Sequence, residues 1–68
     1  MRFGIVARVD VEAAVEIASK IIDFLQEKGV EIVLDKTLGL KLGKPPEMSC
    51  QLQDMDTDIV IAVGGDGT

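Results

Sequence analysis

Hydrophobic positions follow a two-residue period over residues 2–8, change to a helical period over 11–25, and return to alternation over 30–35. Phe3, Ile5 and Ala7 fall on one face of the first segment and Gly4 and Val6 on the other, so Arg2 to Arg8 is predicted as a strand. Gly4 then marks close approach by another backbone, a ligand or a tightly packed neighbouring helix. Val11, Ala14, Val15, Ala18, Ile21, Ile22 and Leu25 form one apolar stripe of a helix running to Lys28, with Ile17 and Phe24 widening its buried face. Asp10 is placed to cap that helix through its carboxylate, and Gly29 supplies the left-handed residue that ends it. Val30, Ile32 and Leu34 alternate with Glu31, Val33 and Asp35, which predicts a second strand, nearer a sheet edge than the apolar one that ends at Val63. Strand, helix and strand make a βαβ unit, which is right-handed in nearly every known case and therefore carries parallel strands.

Periodicity fades over Lys36 to Thr57, where Gly39, Gly43, Pro45 and Pro46 interrupt any regular element. A solvated loop is expected through Pro45, then a short helix after Pro46 with Met48, Leu52 and Met55 on one side. The pattern sharpens again at Asp58-Ile59-Val60-Ile61-Ala62-Val63, whose five consecutive apolar residues predict a strand buried on both faces inside a parallel sheet. It runs directly into Gly64-Gly65-Asp66-Gly67-Thr68. In open parallel sheets ligands collect beyond the carboxyl ends of the strands, which is where this turn falls.

Length and charge narrow the functional classes. A chain of 68 residues is at most one small domain, and such a domain buries only roughly 60% of the surface its unfolded form exposes. The net charge of −5 and the scattered Lys and Arg argue against a nucleic-acid surface or a polybasic membrane contact. With one cysteine and no histidine, an internal disulfide and a zinc site of Cys/His type are both excluded. No long apolar stretch of signal or membrane type is present, so a cytoplasmic location is expected. Because a glycine turn after a buried strand leads into another element, residues 1–68 are read as the amino-terminal, partial α/β domain of a longer protein.

Several short motifs fail on spacing. Gly39 to Pro45 has three residues between its glycines and a proline after its lysine, whereas a P-loop needs four and then Ser or Thr. Lys36, Lys41 and Lys44 remain able to reach a phosphate from the side. Asp54, Asp56 and Asp58 open like a calcium loop, yet Ile59 stands where glycine is required and Gly65 where glutamate is. The turn after the first strand, Arg8-Val9-Asp10, lacks the glycines of a dinucleotide fingerprint, which leaves Asp35 unsupported as a ribose-binding acid. Cys50 reads as a small apolar residue, with no histidine to activate it.

Gly64 to Thr68 suits phosphate binding: three positions lack a Cβ, backbone N–H groups are free to converge, and a hydroxyl closes the run. A hairpin turn at Asp66-Gly67 is the alternative, and the doubly apolar strand argues against it because parallel strands are not joined by hairpins.

Asp-Ile-Val-Ile-Ala-Val followed by Gly-Gly-Asp-Gly-Thr resembles the signature of the NAD kinases, and the strand, long helix and strand before it are similar to that family's opening. Lipid kinases and phosphofructokinases share related glycine motifs, but Arg8-Val9-Asp10 matches neither of their first turns. The resemblance implies a Rossmann-like, phosphofructokinase-like α/β fold with a parallel sheet, incomplete here because a carboxyl-terminal β-rich domain lies downstream. It implies phosphoryl transfer from ATP or polyphosphate to the 2′-hydroxyl of NAD, giving NADP, with a divalent metal, usually magnesium. By position, Asp66 is the expected catalytic aspartate, and Gly64, Gly65, Gly67 and Thr68 are expected to line the nucleotide phosphates; no residue is assigned to metal. The implied partners are NAD, the phosphoryl donor and further copies of the chain as a homo-oligomer. The 68 residues alone are expected to lack kinase activity.

Overall fold

The computed structural model describes residues 1–51 and 54–64. Its elements are β1 (Arg2–Ala7), α1 (Glu12–Glu27), β2 (Glu31–Asp35), α2 (Lys36–Leu42), a 3₁₀ turn (Pro46–Met48), β3 (Ser49–Cys50) and β4 (Ile59–Val63). All strand pairs are parallel and the sheet order is β3-β2-β1-β4. This is the expected α/β, Rossmann-like arrangement.

Register explains the core. Ile5 lies opposite Leu34 on β2 and Ile61 on β4, so these three side chains share one face of the sheet. Ala18, Ile22 and Leu25 of α1 pack on that face with Ile5, Ala7, Leu34 and, from α2, Leu38. Ile5, Ile22, Leu34 and Leu38 are wholly excluded from solvent, each contributing roughly 1.5–3 kcal/mol of burial. The buried stripe of α1 is narrower than its composition suggests: Ile17 and Phe24 do not widen it and are 50% and 57% exposed. These two residues, seven apart, lie along one flank of the helix, beyond the central stripe that meets the sheet. Phe24 instead takes the Lys28 ammonium over its ring, 5.1 Å from the centroid.

Both ends of α1 are set locally. Gly29 has φ 75°, with its N–H donating to the Gln26 carbonyl at 3.1 Å and the Val30 N–H to that of Leu25 at 3.4 Å. This is the Schellman closure expected of a glycine at that position. The amino end departs from expectation: Val11, in extended conformation, occupies the capping position with no side-chain hydrogen bond, because the Asp10 carboxylate is held by Arg8.

The region after β2 is more ordered than its glycines and prolines imply. In place of a solvated loop, Lys36–Leu42 forms α2 with Gly39 inside it. A Cβ on Gly39 would lie 2.9 Å from Ser49 Cβ, so this glycine permits helix and strand to touch rather than breaking the helix. Gly43, at φ 70°, ends α2, and the Lys44 N–H donates back to the Gly39 carbonyl at 2.9 Å. In place of a helix directly after Pro46 stands a 3₁₀ turn, Pro46–Met48, since Ser49 and Cys50 are drawn into pairing with Leu34 and Asp35; Leu52 of the expected apolar side lies outside the described residues.

The chain then returns across the opposite face of the sheet. An added Cβ on Gly4, which points away from α1, would collide with the Met55 side chain and lie 3.0 Å from Thr57 Oγ1. The close approach at Gly4 therefore comes from the β3–β4 connection, not from a helix or a ligand. β2 lies inside the sheet rather than near its edge, and β4 has β1 as its one neighbour among the described residues. Ile59 and Val60 are accordingly 42% and 51% exposed. An apolar run shows that a strand tolerates cover on both faces, but the direction of each crossover decides which neighbours it receives. No helix among the described residues is long and apolar enough to cross a membrane.

Candidate functional site

From β1 through β2 to β3 the chain steps in one direction, and it then reverses to place β4 on the other side of β1. The carboxyl ends of β1 and β4 thus flank the point where winding direction changes, the position at which open α/β sheets form a ligand crevice. Arg8 follows β1 and Gly64 follows β4, and the two are joined by the Arg8 N–H donating to the Val63 carbonyl at 3.3 Å.

Gly64 is the one predicted site residue among the described residues, and its neighbours explain why glycine stands there. Its φ of 88° lies in the left-handed region, and a Cβ would sit 2.6 Å from Ala14 Cβ and 3.4 Å from Arg8 Cβ. Ala14, only 2% exposed, is buried in the amino-terminal part of α1. A small residue on the helix and none on the turn let α1 and the start of the glycine run meet. Gly65, Asp66, Gly67 and Thr68 lie outside the described residues.

Arg8 is the residue beside this turn that motif reading passed over, because Arg8-Val9-Asp10 contains no glycine. The signal was present as a lone cation directly after the first strand. Its guanidinium grips Asp10 with two bonds, Nε to Oδ1 at 3.3 Å and Nη2 to Oδ2 at 2.8 Å. Both side chains remain largely exposed. The hydrogen bond from Arg8 holds the Asp10 carboxyl below the usual carboxylate range, helped by a backbone hydrogen bond, while Asp10 in turn raises Arg8.

Along the same rim, Lys36 and Lys44 line an open depression of about 340 Å³ with Leu40, Pro46, Cys50 and Asp54, while Lys41 is not part of its lining. The acids near β4 serve the opposite end of the sheet. Asp58 accepts the Arg2 N–H at 2.8 Å, the Asp56 carbonyl accepts from the Arg2 guanidinium at 3.3 Å, and Glu31 pairs with the same guanidinium at 3.4 Å. Among the described residues no group of three His, Cys, Asp or Glu side chains is placed to hold a metal ion.

A family described as the ATP-NAD kinase N-terminal domain matches residues 3–68. The chain is 46% identical over its whole length to the NAD kinase of Methanothermobacter thermautotrophicus, covering 24% of that protein. It is also 46% identical to the NAD kinase of Methanosphaera stadtmanae and, over 69 aligned positions, 42% identical to that of Pyrococcus furiosus, covering 25% of each. The chain thus spans about a quarter of the length of these relatives. No solved structure matches it.

Proposed function

The chain belongs to the NAD kinase family, and from that premise we propose that it forms the part of a longer enzyme that presents the glycine turn and its aspartate to the reacting groups in the conversion of NAD to NADP. The observation that carries this reading is the position of Gly64, at the carboxyl end of β4 and beside that of β1, where the winding of the sheet reverses. Backbone N–H groups of a turn in which three of five residues lack a Cβ can close around phosphate oxygens. Gly64, Gly65, Gly67 and Thr68 take the phosphates of ATP or polyphosphate in this reading.

Asp66 orients the 2′-hydroxyl of the adenosine ribose and accepts its proton. The hydroxyl oxygen forms a bond to the terminal phosphorus of the donor as the bond from that phosphorus to its bridging oxygen breaks. Such transfers depend on positioning and on stabilising charge in a loose transition state. One carboxylate within reach of the hydroxyl therefore supplies what a side chain must. A divalent cation would neutralise charge on the donor's phosphates; the described residues offer no cluster that holds one, and the cation is assigned to the donor.

The test is NADP formation by the full-length protein with NAD, magnesium and either ATP or polyphosphate, beside its Asp66→Asn variant. Loss of a positioned base lowers turnover by about 10²–10⁴-fold, with nucleotide binding retained. Equal turnover by the variant would remove Asp66 from the mechanism. No NADP with either donor would remove the reaction itself.

A further inference from the structure

A cation stands beside Gly64 at the carboxyl ends of β1 and β4. Arg8 Cβ and Cγ lie 3.4 and 3.6 Å from the point where a Cβ on Gly64 would stand, so the arginine side chain starts in contact distance of the glycine turn. Its main chain is fixed there by the bond from its N–H to Val63 and by the Val11 N–H, which donates to the Arg8 carbonyl at 3.3 Å. A guanidinium has five N–H donors in a planar fork. Asp10 engages one at Nε and one at Nη2, leaving three directed away from the carboxylate. The side chain is 54% exposed, so those donors are accessible.

This geometry differs from that of the other cations. Arg2 is committed to Asp56 and Glu31 at the amino-terminal end of the strands, and Lys28 lies over Phe24. Lys36 and Lys44 border the separate depression beyond β2 and β3. Arg8 combines position at the winding reversal, contact with Gly64, and a guanidinium bonded to a carboxylate. A planar fork held in this way suits a phosphate oxygen pair, and the charge complements a polyanion.

We propose that Arg8, steadied by Asp10, binds the phosphate chain of the phosphoryl donor beside the glycine turn, with Asp10 acting as a positioning residue. The inference rests on the kinase reading for the identity of the donor. The chemistry it requires, a linear polyphosphate anion, can be probed without turnover.

The experiment is titration calorimetry of the full-length protein with inorganic tripolyphosphate, for wild type, Arg8→Gln, Arg8→Lys and the remote charge control Lys20→Gln. Removing a charge-assisted fork weakens binding by about 10- to 100-fold. Arg8→Gln should show that loss, Arg8→Lys should recover part of it, and Lys20→Gln should match wild type. In turnover assays, Arg8→Gln should raise KM for the donor and leave KM for NAD unchanged, a split that general loosening of the fold would not produce. Tripolyphosphate binding that is absent in wild type, or equal in Arg8→Gln, overturns the proposal. If wild type makes no NADP but binds tripolyphosphate through Arg8, the kinase reading falls and the anion site stands.

Discussion

Replacing Gly64 by alanine imposes two penalties that the structure allows to be separated. The backbone angle of 88° places an L-residue in the left-handed region, which costs about 1–2 kcal/mol. The new Cβ would also lie 2.6 Å from Ala14 Cβ, a buried atom on a helix backbone that cannot swing aside. Overpacking of this kind costs about 1–3 kcal/mol, so the total is about 2–5 kcal/mol. Gly29→Ala isolates the first penalty, since Gly29 has φ 75° and nothing within 4 Å of its added Cβ. Ala14→Gly relieves the second at the expense of about 1 kcal/mol of helix propensity. Native-state hydrogen exchange at Ile5 and Val6 in the full-length protein reports the opening free energy of this sheet. The Gly64→Ala and Ala14→Gly pair should show a favourable coupling of about 1–3 kcal/mol. Additive effects, or a Gly64→Ala loss no larger than that of Gly29→Ala, would refute the account of why glycine stands at the turn.

Leu34→Ala empties a position that is 0% exposed at the centre of the sheet, and should cost about 2–5 kcal/mol by the same exchange measurement; a loss under about 1 kcal/mol would mean the core is not packed as described. Carboxyl NMR of Asp10 should titrate below an ordinary aspartate and move back toward the usual range in Arg8→Gln, because the Arg8 hydrogen bond is the largest cause lowering it. A depressed folded pKa means that the pair's contribution is present above the unfolded value and is lost as pH falls through the folded one. An ordinary midpoint in wild type would show that the pair does not persist in solution.

The parts of the fold that sequence made legible are those fixed by short-range pattern. Alternation placed β1 and β2, the helical stripe placed α1, and Gly29 ended that helix because a left-handed closure needs no partner from elsewhere. What failed depended on side-chain contacts that hydrophobic period does not encode. Gly39 reads as a helix breaker until Ser49 is seen against it, so α2 is invisible to local reasoning. Asp10 has the chemistry of a helix cap, but two bonds from Arg8 redirect it. Of the candidate site, the glycine run was evident as a motif, whereas Arg8 became a candidate only when β4 was found to lie beside β1.

The sequence by itself determined the element types, the aliphatic core and the family to which the chain belongs. Those properties follow from residue period and from motif chemistry, which are local. Tertiary structure decided the strand order and the meeting of Ala14, Arg8 and Gly64. Strand order depends on which face each crossover takes, and a run of apolar residues is compatible with any neighbour. Only because the chain reverses direction at β1 do Gly64 and the paired Arg8 stand side by side.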